Sequence, residues 1–156
     1  MSENKLADIS TELAVKILKL TDSIKGHYSL ANQLERSGTS IGANIREAKY
    51  AHSRPDFIAK LQISLKECYE TEYWIEVAQK ADLISTDVAK EFLHECGVIR
   101  RMLISSINTA KNNIKQWKQR GDLYGMLDWI VFRNSCWGII WTNCGFIYKI
   151  NAVNCS

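Results

Sequence analysis

The chain has 156 residues, of which 46% are hydrophobic and 24% charged, and its formal net charge is +3. This length and balance suit a single folded domain with one substantial core and exclude a disordered chain. The charge is too small to identify a nucleic-acid binder, so that function has to be argued from where the cations cluster.

The polar N-terminus lacks the apolar run and small-residue cleavage site of a signal peptide. We therefore expect a cytoplasmic protein whose five cysteines are reduced thiols, not a disulfide framework. Cys68 and Cys96 fall on apolar helix faces, where cysteine acts as a small hydrophobic residue.

Two amphipathic segments open the chain. The first has apolar residues at steps of three and four: Leu6, Ile9, Leu13, Ile17, Leu20 and Ile24. That spacing predicts a helix, and Gly26 is suited to end it. A second stripe, from about Tyr28 to His52, is interrupted by serine, glycine and threonine at residues 37–40. We expect a break or kink near Ser37 and Gly38, because serine caps helices and glycine bends cheaply.

Two further helices follow, and both have recognisable starts. Ser53, Pro55 and Asp56 suit the cap and first turn of a third helix, which we expect to end near residues 81–82. Its stripe comprises Phe57, Leu61, Leu65, Cys68, Glu72 and Ile75, with Trp74 and Ala78 beside it. Ser85 and Thr86 cap a fourth helix that is predicted to end at Gly121. Its near-heptad stripe comprises Val88, Phe92, Cys96, Ile99, Leu103, Ile107, Ala110, Ile114 and Trp117.

Short connections between four such stripes predict an all-α, antiparallel up-and-down four-helix bundle over residues 1–121. Residues 122–156 differ in composition, with four charged side chains, three of the five tryptophans and three of the five cysteines. No helical period is evident there. Three interpretations stay open: a poorly specified appendage, a hairpin packed on the bundle, or a membrane-seeking segment.

Three sequence blocks resemble a known family. They are QLERSGTSIGANIREA (33–48), DFIAKL with LKECYETEYW (56–61 and 65–74), and RML with TAK (101–103 and 109–111). They resemble the bacterial four-helix-bundle family that includes the small protein encoded within intervening sequences of 23S ribosomal RNA genes. The accessory variability determinant of diversity-generating retroelements is similar to it. The resemblance covers about residues 5–120 and does not include residues 122–156.

That resemblance implies a bundle that assembles into a ring, typically a pentamer, with a basic surface. For the retroelement members it implies binding of RNA and of a partner reverse transcriptase. For the members encoded within ribosomal RNA genes the role is poorly defined, and nothing in this sequence decides between the two branches.

The residues themselves do not suggest catalysis. The block from Ser37 to Ala48 is rich in hydroxyl groups, but Gly42 and Ala43 indicate close helix packing, and Ser37 or Thr39 can cap a helix. The histidines are scattered: His27, His52 and His94. Successive positions of a helix point about 100° apart, so His94 and Cys96 do not share a helix face. No metal site is therefore expected. We predict a non-enzyme without cofactor.

The fourth helix carries the best functional signal, because it has no acidic residue between Cys96 and Gly121. Helical spacing places four cations in one strip beside the core stripe: Arg100, Lys111, Lys115 and Lys118. Arg46 and Lys49 of the second helix could extend this strip. Repeated around a ring, it would give a positive field suited to RNA phosphates. In the alternative interpretation, these lysines only complement the helix dipole and stay solvated.

Tyr73 and Trp74 are adjacent and point to different sides of the third helix, so one can be core while the other forms a subunit interface. The leading hypothesis is a non-catalytic, ring-forming helical protein. It would bind RNA or a ribonucleoprotein, including one with a reverse transcriptase, through basic helix faces. The alternative is a protein–protein scaffold without nucleic acid, and no membrane partner is expected.

Overall fold

A computed structural model of the chain describes residues 5–134, with side chains as far as Gln116. Four helices follow one another in this part: α1 (Lys5–Ser23), α2 (Tyr28–Ala48), α3 (Arg54–Lys80) and α4 (Thr86–Asn134). No strand occurs among these described residues. The predicted all-α, antiparallel four-helix bundle is confirmed. The chain divides into two compact units, Met1–Ile114 and Lys115–Ser156, and the packing below is that of the first.

Both ends of α3 form where the sequence predicts them. Ser53 caps α3 by accepting a hydrogen bond from the Asp56 amide at 3.2 Å. At the other end of α3, the Leu83 amide donates to the Ala78 carbonyl at 2.9 Å while Asp82 has a φ of 57°. This is the six-to-one closure of a Schellman motif, and aspartate is one of the few residues that tolerate its left-handed position.

Two predicted features of the helix ends also hold. Gly26, with a φ of 82°, lies in the connection that follows α1. The Ser85 hydroxyl accepts a hydrogen bond from the Val88 amide at 3.4 Å, which caps α4. The predicted end of α4 at Gly121 is wrong, because the helix continues to Asn134. One glycine costs a helix only about 1 kcal/mol, which neighbouring turns can offset. The hairpin that is one of the three interpretations of the C-terminal segment would fall within residues 136–150, which lie outside the described residues.

The break predicted in α2 is also wrong, because α2 is continuous from Tyr28 to Ala48. Ser37 does not cap a restarted helix; its hydroxyl donates to the Leu34 carbonyl at 3.3 Å, one turn back. Gly38 is buried against α1, where a Cβ atom would come within 2.3 Å of the Ile17 Cδ1 atom. The small residues in α2 therefore allow close packing of α1 and do not bend the helix.

The core is built from all four helices. Its most buried large side chains are Leu13, Ile17, Leu34, Ile41, Ile75, Ile99 and Leu103. α2 packs between α1 and α3. α4 contacts both α3 and α1. The Cys68 thiol of α3 donates to the carbonyl of Cys96 in α4 at 3.4 Å, and Lys16 of α1 pairs with Glu91 of α4 at 3.1 Å. None of the described helices is long and apolar enough to cross a membrane.

Four core residues are small and polar, so a stripe of apolar residues does not identify them. They are Ser10, Ser37, Ser64 and Thr71, and none exposes any of its surface. Ser64 of α3 donates to the Ile41 carbonyl of α2 at 2.9 Å. The Thr71 hydroxyl donates to the Glu67 carbonyl of its own helix at 2.8 Å and lies 3.1 Å from the Ser37 hydroxyl of α2. Each hydroxyl is thus satisfied, which removes the cost of burying it and lets α2 and α3 approach closely.

Candidate nucleic-acid interface

Arg100 lies between α4 and α3 and has two partners there. Its Nε atom is 3.1 Å from the Oε1 atom of Glu72, and its guanidinium carbon is 5.5 Å from the centre of the Tyr69 ring. The negative charge of Glu72 raises the pKa of Arg100 above its ordinary value. Part of the Arg100 charge is therefore neutralised within the protein, and only about a third of its side chain is exposed (35%).

Lys111 and Arg101 differ from Arg100, because both are exposed and neither forms an ion pair with any described residue. Lys111 follows Arg100 by eleven residues, close to three helical turns, so both lie on the flank of α4 that faces α3. Lys115 is exposed as well and begins the second compact unit. The side chain of Lys118 lies outside the described residues.

Arg46 and Lys49 lie on another side of the bundle. The guanidinium of Arg46 donates to the Thr11 hydroxyl of α1 at 3.2 Å, so it bridges α2 and α1. Lys49 borders a cleft of about 880 Å³. The cleft lining is mainly apolar and includes residues of all four helices: Leu6, Ala7, Ile45, Ala48, Phe57, Leu61 and Met102. The structure therefore does not bring Arg46 next to Arg100, and the two residues lie on separate faces of the bundle. A role of Arg46 and Lys49 in nucleic-acid binding stays a prediction.

Other cations of the bundle are occupied by internal ion pairs. Lys16 contacts Glu91 and Glu95, Arg36 lies 2.6 Å from Glu70, and Lys60 lies 2.6 Å from Glu47. Hydrogen bonds with those carboxylates raise the pKa of Lys16 and of Lys60. Such pairs cancel local charge, so the positive potential of the bundle depends on the cations that lack them.

The aromatic pair behaves as the sequence indicates, with one ring inside and one outside. Trp74 is half-buried and packs against the core, while Tyr73 is 55% exposed. The two rings meet edge to face, with centroids 4.9 Å apart and an interplanar angle of 67°. A role in a subunit interface is not tested by this contact and stays a prediction.

Tyr69 is a candidate functional residue that the sequence reasoning missed. It is 49% exposed and lies one helical turn before Tyr73, beside Arg100. The four-residue spacing of the two tyrosines was the available signal, since residues i and i+4 share a helix face. The partnership of Arg100 with Glu72 could not be read from the sequence because the two residues are 28 positions apart.

The described part of the chain contains no cluster of three or more histidine, cysteine, aspartate or glutamate residues that could hold a metal ion. The thiols of Cys68 and Cys96 are fully buried. A hydrogen bond with Cys68, together with burial, raises the pKa of Cys96. A raised pKa keeps the thiol protonated, which does not favour a nucleophilic role.

Comparison with known proteins places this geometry in a family context. The family model described as 23S rRNA-intervening sequence protein matches residues 2–105. A crystal structure from Bacteroides thetaiotaomicron, of a protein with unknown function from the S23 ribosomal protein family, is 42% identical in sequence with a TM-score of 0.65. That similarity covers 69% of this chain and 99% of the other. No curated protein matches the chain.

Proposed function

The chain belongs to the 23S rRNA-intervening sequence protein family, and we propose that it is a non-catalytic, ring-forming helical protein that binds RNA through basic helix faces. One observation carries the proposal. The described side chains of α4 from Cys96 onward include four cations and no acid, and Arg101 and Lys111 are exposed without an acidic partner among the described residues.

The mechanism would be electrostatic. Cations that have no internal partner can replace the counterions condensed on an RNA backbone, and release of those counterions drives binding without sequence readout. Assembly into a ring, as the family resemblance implies, would repeat the basic strip once per subunit and strengthen the field. The partner class implied by the same resemblance is a ribonucleoprotein, including one built around a reverse transcriptase.

The test is the salt dependence of RNA binding by the full chain. Affinity for a labelled, structured RNA, measured by fluorescence anisotropy, should fall steeply between 50 and 200 mM salt. Such a fall is expected of a protein that contacts several phosphates. Replacing the three lysines Lys111, Lys115 and Lys118 by alanine should weaken binding and lower the salt slope by about 2 to 3.

A matched control removes the same charge elsewhere. Lys19, Lys25 and Lys80 are exposed near the opposite end of the bundle, so the corresponding triple alanine variant has the same net charge. We expect this control to bind RNA almost as the unmodified chain does. If both triple variants bind RNA equally well, the α4 strip is not the binding site. If the chain binds no RNA at low salt, the proposed function is wrong.

A second candidate is a protein–protein scaffold without nucleic acid. It is favoured by apolar side chains exposed on α1, since Val15 is 45% and Leu18 is 39% exposed. Partner capture that survives nuclease treatment, together with a failure to bind RNA, would favour the scaffold. Measurement of the mass in solution, with and without RNA, tests ring assembly independently of the ligand.

A further inference from the structure

Tyr69 and Tyr73 form a pair of exposed rings along the outer face of α3. Tyr69 is 49% and Tyr73 is 55% exposed, and four residues separate them. At 1.5 Å per residue their positions are about 6 Å apart along the helix axis. We name these two residues the tyrosine pair.

Both rings are held by neighbours and are not loose on the surface. The Arg100 guanidinium lies 5.5 Å from the centre of the Tyr69 ring and is itself bound to Glu72. The rings of Tyr73 and Trp74 meet edge to face, and Trp74 packs against the core. A ring that is already fixed loses little conformational entropy when a ligand stacks on it, so these contacts favour binding.

Positive charge adjoins the tyrosine pair on one side. Lys66 is exposed one turn before Tyr69, and Arg100 and Lys111 lie on the flank of α4 that faces α3. Glu76 is exposed one turn after Tyr73, so the charge changes sign beyond the pair. A negatively charged strand that reaches Tyr73 should therefore continue toward Lys111 and away from Glu76.

We infer that the tyrosine pair is a stacking platform for unpaired bases, and that the RNA bound by this protein is recognised where it is single-stranded. The inference rests on the proposed RNA-binding function and adds the class of RNA. In a duplex the base faces are already stacked and inaccessible, whereas unpaired bases can lie on aromatic side chains. Lys66, one turn from Tyr69, would then attract the phosphates that link those bases, and Lys111 would attract those farther along the strand.

The test compares three fluorescent probes with equal numbers of phosphates: an unstructured RNA 12-mer, a hairpin duplex, and an abasic ribose-phosphate 12-mer. The unmodified chain should bind the unstructured RNA at least about tenfold more tightly than the abasic strand, because only the former can stack. Tyr69→Ala and Tyr73→Ala should each lower affinity for the unstructured RNA by about fivefold or more. Neither change should alter affinity for the abasic strand. Tyr69→Phe and Tyr73→Phe should retain binding, since the ring remains.

Tyr50→Ala is the matched control, because Tyr50 is 84% exposed and lies in the connection between α2 and α3. It should leave binding of all three probes unchanged. If the chain binds all three probes equally and the tyrosine variants lose nothing, the stacking platform is wrong while RNA binding stands. If no probe binds, the proposed function fails, and with it the platform. If the alanine variants instead change the mass of the protein in solution, the tyrosine pair is a contact between copies of the chain and the inference is overturned.

Discussion

The close approach of α1 to α2 at Gly38 gives the sharpest stability prediction. A Cβ atom at position 38 would lie 2.3 Å from Ile17 Cδ1, far inside normal contact distance, and 3.2 Å from its Cγ2 atom, which is tight by a few tenths of an ångström. Ile17 is fully buried, and because protein interiors are close-packed its side chain can move away from position 38 only by displacing its neighbours. We expect an overpacking cost of up to about 3 kcal/mol for Gly38→Ala. Alanine regains about 1 kcal/mol of helix propensity, which leaves a net loss of about 2 kcal/mol.

A double-mutant cycle isolates the cause. Ile17→Val removes the Cδ1 atom and should cost about 1 kcal/mol by itself. In that background, the methyl group of Gly38→Ala occupies the space vacated by Cδ1, and the gain in helix propensity remains. The double variant should therefore have nearly the stability of the unmodified chain. The resulting coupling is about 2 to 3 kcal/mol, at the upper end of what contacting residues show.

The assay is urea unfolding followed by circular dichroism at one fixed protein concentration, because self-association would otherwise shift the midpoint. Gly97→Ala is the control, since its Cβ would meet only the flexible ends of arginine side chains at 3.4 Å and beyond. That change should stabilise the protein by about 0.5 to 1 kcal/mol. Additive effects in the cycle, or a Gly38→Ala variant as stable as Gly97→Ala, would refute the close contact between Ile17 and Gly38.

Three further outcomes can be measured by the same unfolding assay. Ser53→Ala should cost about 1 kcal/mol by removing the cap on the Asp56 amide, whereas Ser53→Asp should retain it. Thr71→Val should cost about 1 kcal/mol, because the hydroxyl contacts with the Glu67 carbonyl and with Ser37 are lost while the shape is kept, and Thr71→Ser should cost less. Because the pKa of Cys96 is raised in the folded state, the unfolded chain loses this proton first, so stability should fall as pH rises above about 8.5, by at most about 1.4 kcal/mol per pH unit. The Cys96→Ala variant should lack that slope, and a stability independent of pH from 8 to 10 in the unmodified chain would contradict the reasoning.

The contacts of Arg100 change its expected role in the predicted basic strip. Arg100 belongs to the strip by helical spacing, yet Glu72 and Tyr69 engage it within the protein. Its contribution is then to position the Tyr69 ring as much as to attract phosphates. Lys111 retains a solvated charge on the same flank of α4. We therefore expect Lys111 to affect the salt dependence of binding more than Arg100 does.

The amino-acid sequence by itself determined the helices and most of their ends. Apolar spacing identifies Leu13, Ile17, Ile99 and Leu103 as core residues, because a helix must bury its one apolar stripe. The cap at Ser53 follows from local hydrogen bonding, which needs no distant partner. The match to the family model likewise needs only the sequence, and it spans residues 2–105.

Tertiary structure decided what the small and polar residues do. Gly38 could bend a helix or admit a neighbouring one, and only the position of Ile17 selects the second role. Ser64 is a buried core residue because the Ile41 carbonyl of α2 accepts its hydroxyl hydrogen. Arg100 is a free cation until Glu72 reaches it from another helix. In each case the deciding partner is distant in sequence, and a periodic pattern describes the face of one helix but not which residue of another helix meets it.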